Sequence, residues 1–237
     1  MPDQNPPCSS TPRSARLTAC GSPGRSSRLG ACWFALALLA PGCASYRPTE
    51  SGYLGDYSGL QKDSVHINRG LGLQRNNSHD ASPEEACRID SFYVEPSRWL
   101  VDKSSRGGGD PKRQAMLTAA LQEQLREQLG ALKPIVDQPG PNTAMVRSAI
   151  TRVKLSRPLL NAALLTTAIT PVFIGPMFNG GGSVEAEVIG PDGRQVSAIS
   201  CASGGGILDV YGYFTKSSHA KKAMKRSVRE LVQTLEP

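Results

Sequence analysis

Aromatic side chains are scarce, 5% of the 237 residues, which leaves little with which to stack bases. No unbroken apolar run reaches the length of about 20 residues that a membrane-spanning helix needs, so a multi-span membrane protein is excluded. Nor does any internal repeat point to a solenoid. There is no CxxC pair, and the histidines His66, His79 and His219 are scattered, so zinc-type ligand spacing is missing. A G-x-S-x-G elbow is missing too, since Gly55-Asp-Tyr-Ser-Gly59 carries its serine one place late. The glycine triplets at 107–109, 180–182 and 204–206 do not continue as phosphate-cradling motifs, so they read as flexible loops, and no cofactor or metal is called for. Glycine and proline are by contrast abundant, 24 and 18 residues, while 39% apolar content still supplies a core. One domain with long loops or tethers is the expectation.

The first 30 residues are polar and carry Arg13, Arg16, Arg25 and Arg28 against Asp3; Ala-Cys-Trp-Phe-Ala-Leu-Ala-Leu-Leu-Ala follows at 31–40, then Pro41-Gly42-Cys43. Basic flank, short apolar run and stop form a secretory signal pattern. A small residue before Cys43 resembles the bacterial lipobox, which makes Cys43 the lipidated first residue of the mature protein. Ala40 and Pro41 depart from that pattern, and Leu39 sits four places before the cysteine where three is favoured. Ala44 and Ser45 follow with no aspartate as an inner-membrane retention signal, which in a Gram-negative cell favours an outer-membrane lipoprotein facing the periplasm. Cleavage leaves 23 Lys+Arg against 19 Asp+Glu, lowering the net charge from +7 to +4. Much of the basic character is then targeting, and a nucleic-acid partner is not expected. Cys87 and Cys201 remain in an oxidising compartment, and two thiols there suggest one disulfide.

Past Cys43 comes Ser51-Gly-Tyr-Leu-Gly-Asp-Tyr-Ser-Gly-Leu60, followed later by Ile150-Thr-Arg-Val-Lys154, Pro158-Leu-Leu-Asn161, Val184-Glu-Ala-Glu-Val188 and Asp192-Gly193. In these motifs residues 43–235 resemble an uncharacterised family of bacterial lipoproteins classed as a domain of unknown function. The resemblance implies class and compartment and no catalytic residue.

Tyr53, Leu54, Tyr57 and Leu60 fall at i, i+1, i+4 and i+7, the spacing of one sticky face on a short helix or hook that would dock a tether to the domain. The polar residues 61–86 read as a linker. The chain thus divides into a signal peptide (1–42), a tether (43–86) and one domain (87–237). Within the domain, 89–95 reads as a strand. Asp110 then caps a helix with Pro111 at its first position and Leu117, Leu121, Leu125 and Leu129 along one face. Lys133 to Asp137 and Met145 to Leu155 are further strands. Residues 184–189 and 194–201 flank an Asp-Gly turn as a hairpin, and 217–235 form a last helix. The order β-α-β-β-β-β-α predicts an α/β or α+β fold, two helices packed on a four- to five-stranded mixed sheet.

Ser218-His-Ala-Lys221 fits S-x-x-K, but no partner motif follows. Glu185 and Glu187 lie on one face of their strand, which reads as its solvent side opposite Val184, Ala186 and Val188. Two features point to binding. Residues 158–184 run 27 positions without a charge and include Leu164, Leu165, Phe173, Ile174 and Phe178, while Pro171 and Pro176 make them a poor membrane helix. They read as an apolar insertion that folds over its own core or meets lipid or a protein partner. On the last helix Lys221, Lys222, Lys225, Arg226 and Arg229 share a basic face, solvated or set against anionic lipid or an acidic partner. The expected function is that of a lipid-anchored envelope protein, not an enzyme, in a binding, scaffold or transport-accessory role with an envelope protein partner. The alternative is a cell-wall or lipid hydrolase with an unrecognised site.

Overall fold

A computed structural model of the chain describes residues 47–67, 73–105, 107–155, 180–204 and 217–236, all within one unit spanning 42–237. Among these residues the strands are β1 (Gln61–Ile67), β2 (Leu73–His79), β3 (Ser91–Val94), β4 (Arg98–Trp99), β5 (Ile135–Val136), β6 (Thr143–Lys154), β7 (Gly181–Ile189) and β8 (Gln195–Gly204). The helices are α1 (Pro83–Arg88), α2 (Pro111–Gly130) and α3 (Ser218–Gln233). All strands join one mixed sheet in the order β1-β2-β8-β7-β6-β3-β5, with β4 also on β6. β1, β2, β8, β7 and β6 pair antiparallel; β3, β4 and β5 are parallel additions.

The α/β class stands, and the sheet is larger than the sequence reading allowed. Residues 61–86 are not a linker: β1 and β2 form a hairpin that extends the sheet through β8, and α1 follows under a Ser82/Glu85 capping box. β2 escapes a hydrophobic-pattern reading because its sequence is Leu-Gln-Arg-Asn-Asn-Ser-His. It carries buried amides instead: Gln74 Nε2 donates to Asn76 Oδ1 (3.2 Å) and to Glu230 Oε1 on α3 (2.8 Å).

The helices cover one face of the sheet. The Asp110 carboxylate accepts from Lys112 N and Arg113 N and so caps α2, while Pro111 takes the first turn, where its missing N–H costs nothing. Leu117, Leu121, Leu125 and Leu129, one per turn, are completely buried with Phe92, Val146 and Ile150 of the sheet. Each contributes roughly 2 kcal/mol of burial. α3 adds Ala220, Met224, Val228 and Leu231 over Ile199 and Cys201.

The other face is covered as well. β7 and β8 are buried along almost their whole length, and on this second face they present small or polar residues, Ser183, Ala198, Ser200 and Ala202. That leaves room for a chain segment to lie flat on the strands, and segment 49–60 occupies it.

Candidate functional site

Segment 49–60 carries the opening family motif and is not helical. It is a hook whose apolar residues Tyr53, Leu54 and Leu60, with half-buried Tyr57, pack on Ala149 and Ala198 as a second hydrophobic cluster. Two glycines permit its path. Gly52 has φ +80°, a conformation L side chains rarely adopt, and a Cβ on Gly59 would come within 2.9 Å of His79 Nδ1.

Two buried carboxylates hold the hook from beneath. Glu185 accepts from Ser51 N (3.0 Å), Ser51 Oγ (2.7 Å) and Tyr57 Oη (2.6 Å). The Tyr57 oxygen is itself met by the N–H groups of Gly52, Tyr53 and Leu54 at 3.0–3.3 Å, so one phenol ties the turn to the sheet. Glu187 Oε2 accepts from Gly55 N (2.8 Å) and Gln195 Nε2 (2.7 Å), while Arg147 Nη1 stands 2.9 Å from Oε1 as an ion pair off the hydrogen-bonding direction. The Arg147 guanidinium also lies 5.2 Å from the centre of the Tyr53 ring. At the start of the segment Thr49 Oγ1 meets Thr151 Oγ1 (2.6 Å) and Ser183 Oγ (3.2 Å), and Ser200 Oγ donates to Thr49 O (2.6 Å).

Burial pushes both phenols above their usual range; for Tyr57 the bond to Glu185 adds to the rise. Asp56 moves the other way, held below the usual carboxylate range by hydrogen bonds from Ser58 N and Oγ.

Glu185 and Glu187 therefore do not face solvent. Both are completely buried; the Glu185 oxygens and Glu187 Oε2 hold the segment, while Glu187 Oε1 faces Arg147. The sequence reading set Glu185 and Glu187 on a solvent face and missed Arg147 and Gln195. The available signal was two glutamates in a strand flanked by small residues on both faces, with an upstream motif rich in hydroxyl and glycine N–H donors.

The predicted disulfide is not formed. Cys201 is a free thiol completely buried beneath α3, pushed up to about 12 by that burial, whereas Cys87 is exposed on α1 and is disulfide-bonded, not to Cys201. The basic face also divides. Lys221, Lys222, Lys225 and Arg229 are exposed, while Arg226 turns inward and donates to Ser203 Oγ (3.1 Å) and Gly204 O (3.4 Å). Cys43 and the insertion residues Leu164, Leu165, Phe173, Ile174 and Phe178 lie outside the described residues. Among the described residues no group of three or more His, Cys, Asp or Glu could hold a metal ion, and no helix is long and apolar enough to cross a membrane.

Among solved structures the chain is similar to the PelC dodecamer from Paraburkholderia phytofirmans, at 12% identity and a TM-score of 0.42 over 68% of this chain and 98% of that one. A leucine-to-methionine variant of the same protein gives 13% identity and a TM-score of 0.38 over 70% and 97%. No curated protein matches. The family model described as "Protein of unknown function (DUF3313)" matches residues 49–231, from the first residue pinned on the sheet to Leu231 in the last buried turns of α3. The chain belongs to this family.

Proposed function

We propose that this protein is a lipid-anchored component of the bacterial cell envelope, held at the outer membrane and facing the periplasm, where it binds or scaffolds a partner and does not catalyse. One observation carries the reading: among the described residues the first to bond to the sheet is Thr49, six positions after the lipobox-like Cys43, so a lipid there would hold the domain close against a membrane. Several acyl chains at about 0.8 kcal/mol per buried CH₂ make such an anchor effectively permanent. The binding role is supported by the uncharged 158–184 sequence and by the exposed lysines of α3. Against an acid–base role stands the engagement of Glu185 and Glu187 by Ser51, Tyr57, Gly55 and Gln195.

The test is the intact mass of the protein extracted from native membranes, followed by partner capture. A diacylated or triacylated chain starting at Cys43 is expected. Replacing Leu164, Leu165, Phe173 and Ile174 with polar residues should then abolish copurification with envelope partners at an unchanged melting curve. A full-length unmodified chain overturns the anchor, and undiminished copurification overturns the assigned binding surface.

A further inference from the structure

Strand register brings several connections to one end of the sheet. Lys154 pairs with Gly181 and Gly181 with Gly204, so the chain leaves β6, enters β7 and leaves β8 side by side. Gln74 pairs with Ser203, which puts the β1–β2 connection at the same end. The connecting sequences 68–72, 156–179 and 205–216 contain Arg69, Arg157, Asp209 and Lys216 as their only charges.

α3 starts at this end. A Cβ on Gly182 would lie 3.7 Å from Ala223 Cβ, and Arg226 reaches Ser203 and Gly204, whereas Thr234 at the other end of the helix meets Ser197. The first turns of α3 therefore bring Lys221, Lys222 and Lys225 to the rim that Arg152 and Lys154 occupy. The loop after β4, which meets Leu155 at Gly107, and the start of α2 add Lys103 and Arg113 with Asp102 and Asp110, and segment 49–60 adds Glu50, so that among these described residues the cations outnumber the acids. The opposite end carries the Asp192-Gly193 turn and α1. There the charge is mixed: Glu84, Glu85, Asp90 and Asp192 with Arg88, Lys133 and Arg194.

Segment 49–60 runs away from the basic end, since Thr49 meets Ser183, Ser51 meets Glu185 and Gly55 meets Glu187 along β7. The chain preceding Thr49 thus arrives from that end. Six residues span at most about 21 Å, and Ser183 is about 7 Å from the β7 start at Gly181 and about 20 Å from Ile189.

From these placements, and resting on the anchored reading above, we infer that the sheet end marked by Lys154, Gly181 and Gly204 faces the bilayer, its lysine and arginine rim set against anionic headgroups. The anchor and the basic rim then address the same surface, and the end with the Asp192-Gly193 turn points away from it. A second contact beside the lipid fixes the domain's orientation, which a lipid alone leaves free.

The experiment uses the full lipid-bearing protein reconstituted into vesicles of phosphatidylethanolamine and phosphatidylglycerol that contain a nitroxide-headgroup quencher lipid. A fluorophore is placed at Arg152→Cys or at Arg194→Cys, both exposed positions, with Cys87→Ser in every sample; Cys201 is buried and does not compete for the label. The inference expects several-fold stronger quenching at position 152 than at position 194. Equal quenching, or stronger quenching at 194, in protein whose mass shows acylated Cys43 overturns the orientation and leaves the anchor standing. Protein that lacks the lipid and stays off the vesicles overturns both.

Discussion

Replacing Tyr57 with phenylalanine removes one oxygen atom and keeps the ring that packs beside Ala149 and Ala198. The oxygen is the donor in a 2.6 Å bond to a buried carboxylate and the acceptor for three backbone N–H groups. A hydrogen bond to a charged group contributes about 1.5–3 kcal/mol. The three N–H groups lie close enough to solvent for water to replace most of what they lose, so the expected cost of Tyr57→Phe is about 2 kcal/mol. It falls first on segment 49–60, whose release requires no strand to separate. Amide hydrogen exchange should therefore speed up about 30-fold at residues 52–55, with smaller changes in β7 and β8. Unchanged exchange at those amides would refute the idea that the phenol ties the hook to the sheet, and so would equal acceleration throughout the domain.

Three further outcomes follow from the same contacts. Leu125→Ala, at a fully buried position, should destabilise by about 3 kcal/mol and lower Tm by roughly 6–12 °C in a thermal melt. Arg147→Met leaves the buried Glu187 without its cation and should cost about 3 kcal/mol; Glu187→Gln in the same chain should recover part of that loss, and a double-mutant cycle without coupling contradicts the pairing. Cys201 titrates near 9.0 when unfolded and about 12 when folded, and both phenols are also raised, so the unfolded chain loses protons first as pH rises. From these groups stability should stay level from neutral pH to about pH 9 and then fall, by up to roughly 4 kcal/mol from Cys201 alone, and Cys201→Ala should flatten the decline in urea titrations.

Legibility in the sequence followed pattern strength. Asp110-Pro111 and the leucines at spacing four specify α2 because cap, proline and stripe agree, and Asp192-Gly193 specifies the β7–β8 hairpin through a turn with φ +79° at Gly193. β1 and β2 stayed hidden because β2 carries buried amides where a strand pattern expects apolar residues. Glu185 and Glu187 were misassigned for a related reason: alternating charge in a strand reads as a solvent face, and only tertiary structure reveals a segment from more than 130 residues upstream lying over it. The four apolar anchors of that segment were visible; their helix-like spacing concealed a hook closed by Tyr57.

The pairing of Ser51 with Glu185 spans 134 positions of sequence, and this sets an order of events in biogenesis. A chain synthesised from its N-terminus cannot seat segment 49–60 until β7 has emerged, because the carboxylates that hold it are not yet there. Over that interval segment 49–60 has no carboxylate partner and stays off the sheet. Seating of the segment is then a late closure of the domain, so that the first described stretch of the chain is among the last to find its place in the fold.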